Sequence, residues 1–264
     1  MWFRTLCVVM LGSVVAILAD QPSSARYFNP RFAADGMSLI FESTREGKYA
    51  VYTINVDGTK LRKLTDGRQN DAQPQWSRDG RFITFTSDAG GVPKVHIMAS
   101  DGRGARLVTS GPGNDQSPIF ISNTRVVFTR DVPPGTNWLK LTPEDHTKRR
   151  ASSEVMAVNI DGTALENLTQ NDVLDGNASW ASASQRIFFT SSRGGSQELF
   201  SMSADGSDVR RVMDATGIQP SVAFDGRQVT YTRLVGDRSA VVVHDLAIGR
   251  EREVIGGDPP RPPA

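Results

Sequence analysis

The chain has 264 residues, with 30 Lys+Arg against 29 Asp+Glu and a formal net charge of +1. That balance excludes a nucleic-acid binder working by bulk electrostatics, which needs a clear basic excess. The 24 glycines and 14 prolines, with little helical periodicity, point to an all-β chain rich in turns.

At the N-terminus, Arg4 precedes an apolar run from Leu6 to Ala19, and Ser23-Ser24-Ala25 follows. A basic n-region, an apolar h-region and small residues at a cleavage site predict a signal peptide over residues 1–25, with Ala25 or Ala19 the last residue removed. The alternative is a membrane anchor, but the run falls short of the ~20 apolar residues a span needs. Cys7, the only cysteine, lies inside the h-region. The mature chain is therefore expected to carry no thiol and no disulfide.

From residue 26 onward the sequence repeats itself. Pro30-Arg31-Phe32-Ala33-Ala34-Asp35-Gly36, Pro74-Gln75-Trp76-Ser77-Arg78-Asp79-Gly80 and Pro220-Ser221-Val222-Ala223-Phe224-Asp225-Gly226 share one spacing. The apolar pairs Leu39/Phe41, Ile83/Phe85 and Val229/Tyr231 follow in register. Alternate residues of a strand share a face, so these pairs are core candidates. A fourth copy starts at Ala178-Ser179-Trp180 and continues to Ile187 and Phe189. The remaining copy starts at Pro118 and carries an insertion, roughly Asp131 to Arg150. A second Asp-Gly closes four units, at Asp57-Gly58, Asp101-Gly102, Asp161-Gly162 and Asp205-Gly206. Asp-Gly between alternating strands marks a hairpin, because glycine reaches positive φ without steric cost. Four short strands at a spacing of about 42 to 44 residues describe a propeller blade, which buries its faces only against neighbouring blades.

The pattern Pro-x-Trp-Ser-x-Asp-Gly, with a closing Leu64-Thr65 or Leu168-Thr169, resembles the WD40-like repeat of TolB proteins, found also in prolyl-oligopeptidase propellers. The resemblance covers residues 26–255 and implies an all-β fold, a single β-propeller of four-stranded blades. Five blades are the preferred count and six the alternative. The α/β domain that precedes the propeller in TolB is expected to have no counterpart. Residues 256–264, rich in Pro and Gly, read as a flexible tail.

The chain lacks the Gly-x-Ser-x-Gly elbow that a prolyl-oligopeptidase-type hydrolase requires. His96, His146 and His244 fall on separate segments with no zinc-type spacing, so no metal site and no cofactor is expected. The Asp-Gly pairs read as turn residues and not as calcium ligands.

Strand direction alternates within a blade, so the tight Asp-Gly turns open on one face of the ring. The blade-to-blade links and the loops between second and third strands open on the other, where variable material suits binding. Three residues before successive blade starts stand Asp71, Asp115 and Asp175, with Tyr27 and Gly217 at the remaining two positions. These are expected to ring a channel mouth, able to hold a cation or a Lys/Arg side chain, or to serve the turns alone. Arg45, Arg130, Arg193 and Arg233 are expected to form a basic rim, and Trp138 in the insertion reads either as an interaction anchor or as a side chain folded back over its own blade. An acidic mouth inside a basic rim suits a peptide-like ligand.

These observations lead to an exported, non-catalytic propeller that binds an envelope protein or peptide through the channel-mouth face, with no nucleic-acid partner and no membrane span after signal cleavage. The resemblance implies a setting like the Tol–Pal system. The rivals are a carbohydrate-active or lyase-type propeller and a small-molecule or cation receptor.

Overall fold

The computed structural model describes residues 25–132, 152–223, 227–235 and 238–256. The expected signal peptide up to residue 24, most of the insertion and the tail from residue 257 lie outside them. The described chain is all β.

The first blade is β1 (Tyr27–Phe32), β2 (Ser38–Ser43), β3 (Ala50–Asn55) and β4 (Arg62–Lys63), antiparallel in that order. The second is β5 (Asp71–Trp76), β6 (Phe82–Ser87), β7 (Lys94–Ala99) and β8 (Arg106–Leu107). The third is β9 (Asn114–Phe120), β10 (Arg125–Val132), β11 (Ser152–Asn159) and β12 (Glu166–Asn167). β13 (Asp175–Ala181), β14 (Arg186–Ser191), β15 (Glu198–Ser203) and the start of β16 (Arg210–Val222) make the fourth. The end of β16 continues without a break as the first strand of the fifth, with β17 (Gln228–Val235), β18 (Arg238–Asp245) and β19 (Arg250–Gly256). The fold is a propeller of five four-stranded blades.

Local chemistry explains the hairpins. In the first blade the Asp35 carboxylate accepts the Met37 amide at 2.8 Å, and in the second blade Asp79 accepts Arg81 at 3.1 Å. Asp57, Asp101, Asp161 and Asp205 repeat this bond between third and fourth strands. The side chain mimics the backbone of a turn, and the glycine that follows takes the left-handed conformation, at φ 82° for Gly58. Further along, Thr65, Thr109 and Thr169 accept the amides of Val51, Val95 and Val155, which ties the end of each blade to its third strand. This is the structural use of the Leu-Thr signature.

Every innermost strand also carries a bulge at one position. Asn29, Gln73, Ser117 and Asn177 sit there with φ between 50° and 54°, and the pairing register shifts at each. A bulge bends its strand and re-aims the side chain. Gln73 uses this to bridge blades: its carbonyl accepts the Ser117 amide at 2.7 Å and its amide donates to the Ser117 hydroxyl at 3.0 Å.

The core is a series of layers between blades. Ile40 and Val51 of the first blade pack on Ile83, Phe85 and Met98 of the second. Val95 and Ile97 then meet Phe128 and Met156, Val127 and Val155 meet Ile187 and Phe189, and Leu199 meets Val229 and Tyr231. One register position shows where the series stops. Val51, Val95, Val155 and Leu199 are 0 to 1% exposed, whereas Val241 in the fifth blade is 39% exposed. On the first blade's opposite face, Phe32 is 68% exposed, while Trp76 and Trp180 in register with it pack into cores. Among the described residues, the fifth blade therefore does not pack on the first as consecutive blades pack on each other.

This asymmetry sets an expected outcome. Val155→Ala should cost about 2 to 3 kcal/mol in urea unfolding, the usual penalty for truncating a filled layer. Val241→Ala at the equivalent position should cost less than about 1 kcal/mol. Equal losses would mean that the seam is packed in solution.

Candidate functional site

The three aspartates occupy one repeated place, the start of the innermost strand, where each blade meets its predecessor. The Asp71 amide donates to the Tyr49 carbonyl at 2.9 Å, and Asp115 donates to Pro93 at 2.9 Å. At Asp175 the bond is reversed, with the Ser153 hydroxyl donating to its carbonyl at 2.9 Å. All three carboxylates are buried, between 0 and 1% exposed.

The aspartates and the arginines, read from sequence as an acidic mouth and a separate basic rim, prove in two blades to be partners. Arg130 grips Asp115 with Nε at 2.6 Å and Nη2 at 2.8 Å, and Lys94 of the preceding blade adds a third contact at 3.3 Å. Arg193 donates to Asp175 at 3.0 Å, and Asn171 joins it at 2.6 Å. A buried carboxylate needs such donors, because desolvation of an unpaired charge costs several kcal/mol. The link over Arg130 is close. Its Nη2 donates to the Ser110 carbonyl at 2.8 Å, and a Cβ at Gly113 would lie 2.5 Å from the Asp131 carbonyl oxygen. Burial pulls the Lys94 ammonium below its ordinary pKa, with Asp115 opposing.

Asp71 differs. Neither of its oxygens has a hydrogen-bond partner among the described residues. The hydroxyls of Ser87 and Thr65 stand near enough to favour the charged form without reaching bonding geometry, and burial outweighs them, pushing the carboxyl up to about 6. The repeat explains the missing partners. Ala89 stands where the fourth blade has Arg193, and Ala50 stands where the second blade has Lys94.

The first and fifth blades have the arginine without the acid. Tyr27, exposed at the head of β1, packs its ring 5.9 Å from Phe41, and the Arg45 guanidinium lies 5.8 Å from the Tyr52 ring centre. Arg233 turns to Glu251 and to the Tyr231 hydroxyl, 2.7 Å away. Trp138 and His146 lie outside the described residues. His96 is half-buried against Phe85, and His244 is buried beside Glu251, so the two described histidines do not converge. Among the described residues no group of three His, Cys, Asp or Glu could hold a metal ion.

Sequence reasoning missed three further buried carboxylates. Glu42 accepts Asn29 at 2.9 Å and the Gln73 amide, and burial raises its pKa against those bonds. Glu154 accepts the Thr169 hydroxyl and the Asn171 amide, and burial raises it too. Glu198 pairs with Arg211 at 2.5 Å. Glu154 and Glu198 share the register position of Lys94, so an alignment of third strands was the signal that could have exposed them.

A family model for the TolB beta propeller domain matches residues 21–137 and 133–258, nearly all of the chain. The chain belongs to the TolB β-propeller family. No curated protein matches the sequence. Among solved structures, a protein assigned as TolB from Agrobacterium tumefaciens aligns with a TM-score of 0.71 at 16% identity, covering 89% of this chain and 82% of that one. TolB from Acinetobacter baumannii aligns at 0.67 and 16% identity, covering 88% of this chain and 55% of that one. An oligogalacturonate lyase in complex with manganese aligns at 0.66 and 14% identity, covering 89% and 68%. At these identities the structural likeness is one of fold, and TolB-type propellers share that fold with enzymes.

Two outcomes follow for this TolB-type propeller. Arg130→Met should cost about 3 kcal/mol, since it strips a buried carboxylate of its bidentate partner. Arg233→Met, which breaks a partly exposed pair, should cost less than about 1 kcal/mol in the same urea titration. The second outcome concerns Asp71, whose folded pKa of about 6 lies above the ordinary 3.8. The folded state holds this proton more tightly, so stability is greatest below about pH 4 and falls as pH rises through 6. Asp71→Asn should match the wild type near pH 4 and exceed it by about 2 kcal/mol near pH 7.5. A constant difference between the two proteins across that range would remove Asp71 from the titration.

Proposed function

We propose that the protein is an exported, non-catalytic TolB-type propeller that binds a protein or peptide of the cell envelope through the face carrying the blade links and second-to-third-strand loops. The observation that carries the reading is Asp71. It is a buried carboxylate on that side of the second blade, without the internal cation that its equivalents in the next two blades possess. A group that lowers stability at neutral pH and is not neutralised from within is what a binding site leaves for its partner. Family membership supports a binding role, and the signal-like N-terminus supports export. No helix among the described residues is long and apolar enough to cross a membrane.

The rival reading is a lyase-type propeller, for which the likeness to oligogalacturonate lyase speaks at the level of fold.

Site-directed photocrosslinking in intact cells separates these readings. Benzoylphenylalanine replaces Lys48 or Arg68, exposed near the loop-bearing face, and Lys60 or Arg103 beside the Asp-Gly turns. A specific envelope-protein adduct from the first pair and none from the second is the expected result. Adducts independent of position, or fractionation of the protein with the cytoplasm, would overturn the proposal. Turnover of oligogalacturonate by the purified protein would install the lyase reading in its place.

A further inference from the structure

The fourth blade builds a cradle for a guanidinium group, and the second blade repeats the cradle without an arginine. In the fourth blade Arg193 Nε donates to the Ser191 hydroxyl at 2.8 Å, and Nη2 donates to Asp175 at 3.0 Å. The guanidinium carbon stands 5.4 Å from the Phe189 ring centre and 4.9 Å from that of Phe200. Strand register maps each of these groups onto the second blade: Asp175 onto Asp71, Ser191 onto Ser87, Phe189 onto Phe85 and Phe200 onto His96. The Phe85 and His96 rings lie 5.6 Å apart, much as Phe189 and Phe200 lie 6.1 Å apart.

The turn that delivers the arginine is also the same. Ser191 Oγ accepts the Arg193 amide at 3.3 Å, and the Gly195 amide donates to Ser192 at 2.9 Å. Ser87 Oγ accepts the Ala89 amide at 3.4 Å, and the Gly91 amide donates to Asp88 at 2.8 Å. Position 89 thus has the backbone of position 193 and the side chain of alanine, exposed at the surface. Four blades hold an arginine over a ring of this pair: Arg130, Arg193 and Arg233 over the second-strand ring, and Arg45 over the third-strand ring of Tyr52. The second blade has the ring, the hydroxyl and the buried, unpartnered carboxylate.

We propose that Asp71, Ser87 and the Phe85–His96 ring pair receive the guanidinium of an arginine side chain supplied by a partner protein or peptide. This deepens the binding function proposed above and rests on it. Guanidinium fits better than ammonium. Its flat face stacks on rings, and its spread nitrogens reach a hydroxyl and a carboxylate together. Lys94 does not compete, because it is held by Asp115 and by the carbonyls of Gly111 and Gly113. Beside the cradle, a cavity of about 460 Å³ lined by Gly90, Val92, Lys94 and His96 offers room for the residues that flank the arginine. Burial keeps the Asp71 carboxyl near 6, so at neutral pH it is a carboxylate for which an incoming cation relieves the desolvation.

The test uses the mature protein and an acetylated, amidated peptide carrying one central arginine, beside the same peptide with lysine or citrulline. NMR follows the Asp71 carboxyl carbon and the His96 ring. The arginine peptide should bind about tenfold more tightly than the citrulline peptide, the difference expected of one charge-assisted contact. Ala89→Arg should fill the cradle from within, abolish peptide binding and raise the melting temperature. Asp71→Asn, which keeps the shape, should lose the preference for arginine over citrulline. Equal binding of arginine and citrulline peptides, or unchanged binding in a folded Ala89→Arg protein, would overturn the assignment, as would a preference for lysine. Crosslinking at Lys48 and Arg68 that persists in Asp71→Asn would leave the binding function standing and remove only this subsite.

Discussion

The structure depends on the join between one blade and the next. A four-stranded sheet of this size cannot bury two apolar faces alone, so each layer of core belongs to two blades at once. The layer is fixed by apolar packing, as between Val155 and Phe189, and by polar bonds at the start of the inner strand. There an aspartate such as Asp115 is held by its own blade through Arg130 and by the preceding blade through Lys94 and the Pro93 carbonyl. Position along the ring and orientation about it are thereby set by different chemistry. Dispersion and the hydrophobic effect supply attraction without direction, and the ion pair supplies direction.

That division explains what the sequence made legible. The blade period, the Asp-Gly turns and the inward pairs from Leu39/Phe41 to Val229/Tyr231 follow from local rules of turn chemistry and strand alternation. The structure has them where the spacing puts them, except that Leu39, on the seam side of the first blade, is only half-buried where its equivalent Ile83 is fully buried. The site was half legible. Asp71, Asp115 and Asp175 stand out because they recur at one offset, and the four arginines because each lies at or just past the end of its blade's second strand, Arg45 and Arg193 at one register position and Arg130 and Arg233 at another. Which arginine meets which aspartate depends on the turn after the second strand, and a list of offsets does not contain it. Arg193 reaches Asp175 from a turn two residues past the strand end, whereas Arg130 reaches Asp115 from within its strand. Arg130 occupies the strand position that Ser191 has in the fourth blade, two residues before the place from which Arg193 reaches. Glu42 and Glu154 stayed hidden for a related reason. Glu42 stands where the sister blades have threonine, and Glu154 shares its position with Glu198 but with Lys94 in the second blade, so neither forms a repeat running through the chain.

The join also accounts for the open seam. At the seam between the fifth blade and the first, Tyr27 stands where three other blades have an aspartate, and Ala240 of the fifth blade stands where the second has Lys94. The first blade has no described predecessor for Phe32 to pack on. Both ends of the series lack the polar fastener as well as the apolar layer, so the missing contact is written into the residues on each side.

The departures from the repeat are not equivalent in energy. The first blade loses the acid and keeps the base: Arg45 remains partly in solvent and rests on Tyr52, an arrangement that leaves no charge stranded. The second blade loses the base and keeps the acid, with Asp71 about as fully buried as Asp115 and with neither oxygen bonded. Drift toward a simpler blade would remove both members or retain the cheap one, since an uncompensated buried carboxylate is among the more costly features a small domain can carry. The retained Ser87, the retained Phe85 and the unaltered turn around Ala89 argue the same way, because each is of use to a guanidinium and none requires Asp71 for its own fold. The second blade is a propeller blade that keeps the acid, the hydroxyl and the ring of the cradle and has Ala89 in place of its arginine, which is the arrangement the proposed subsite requires.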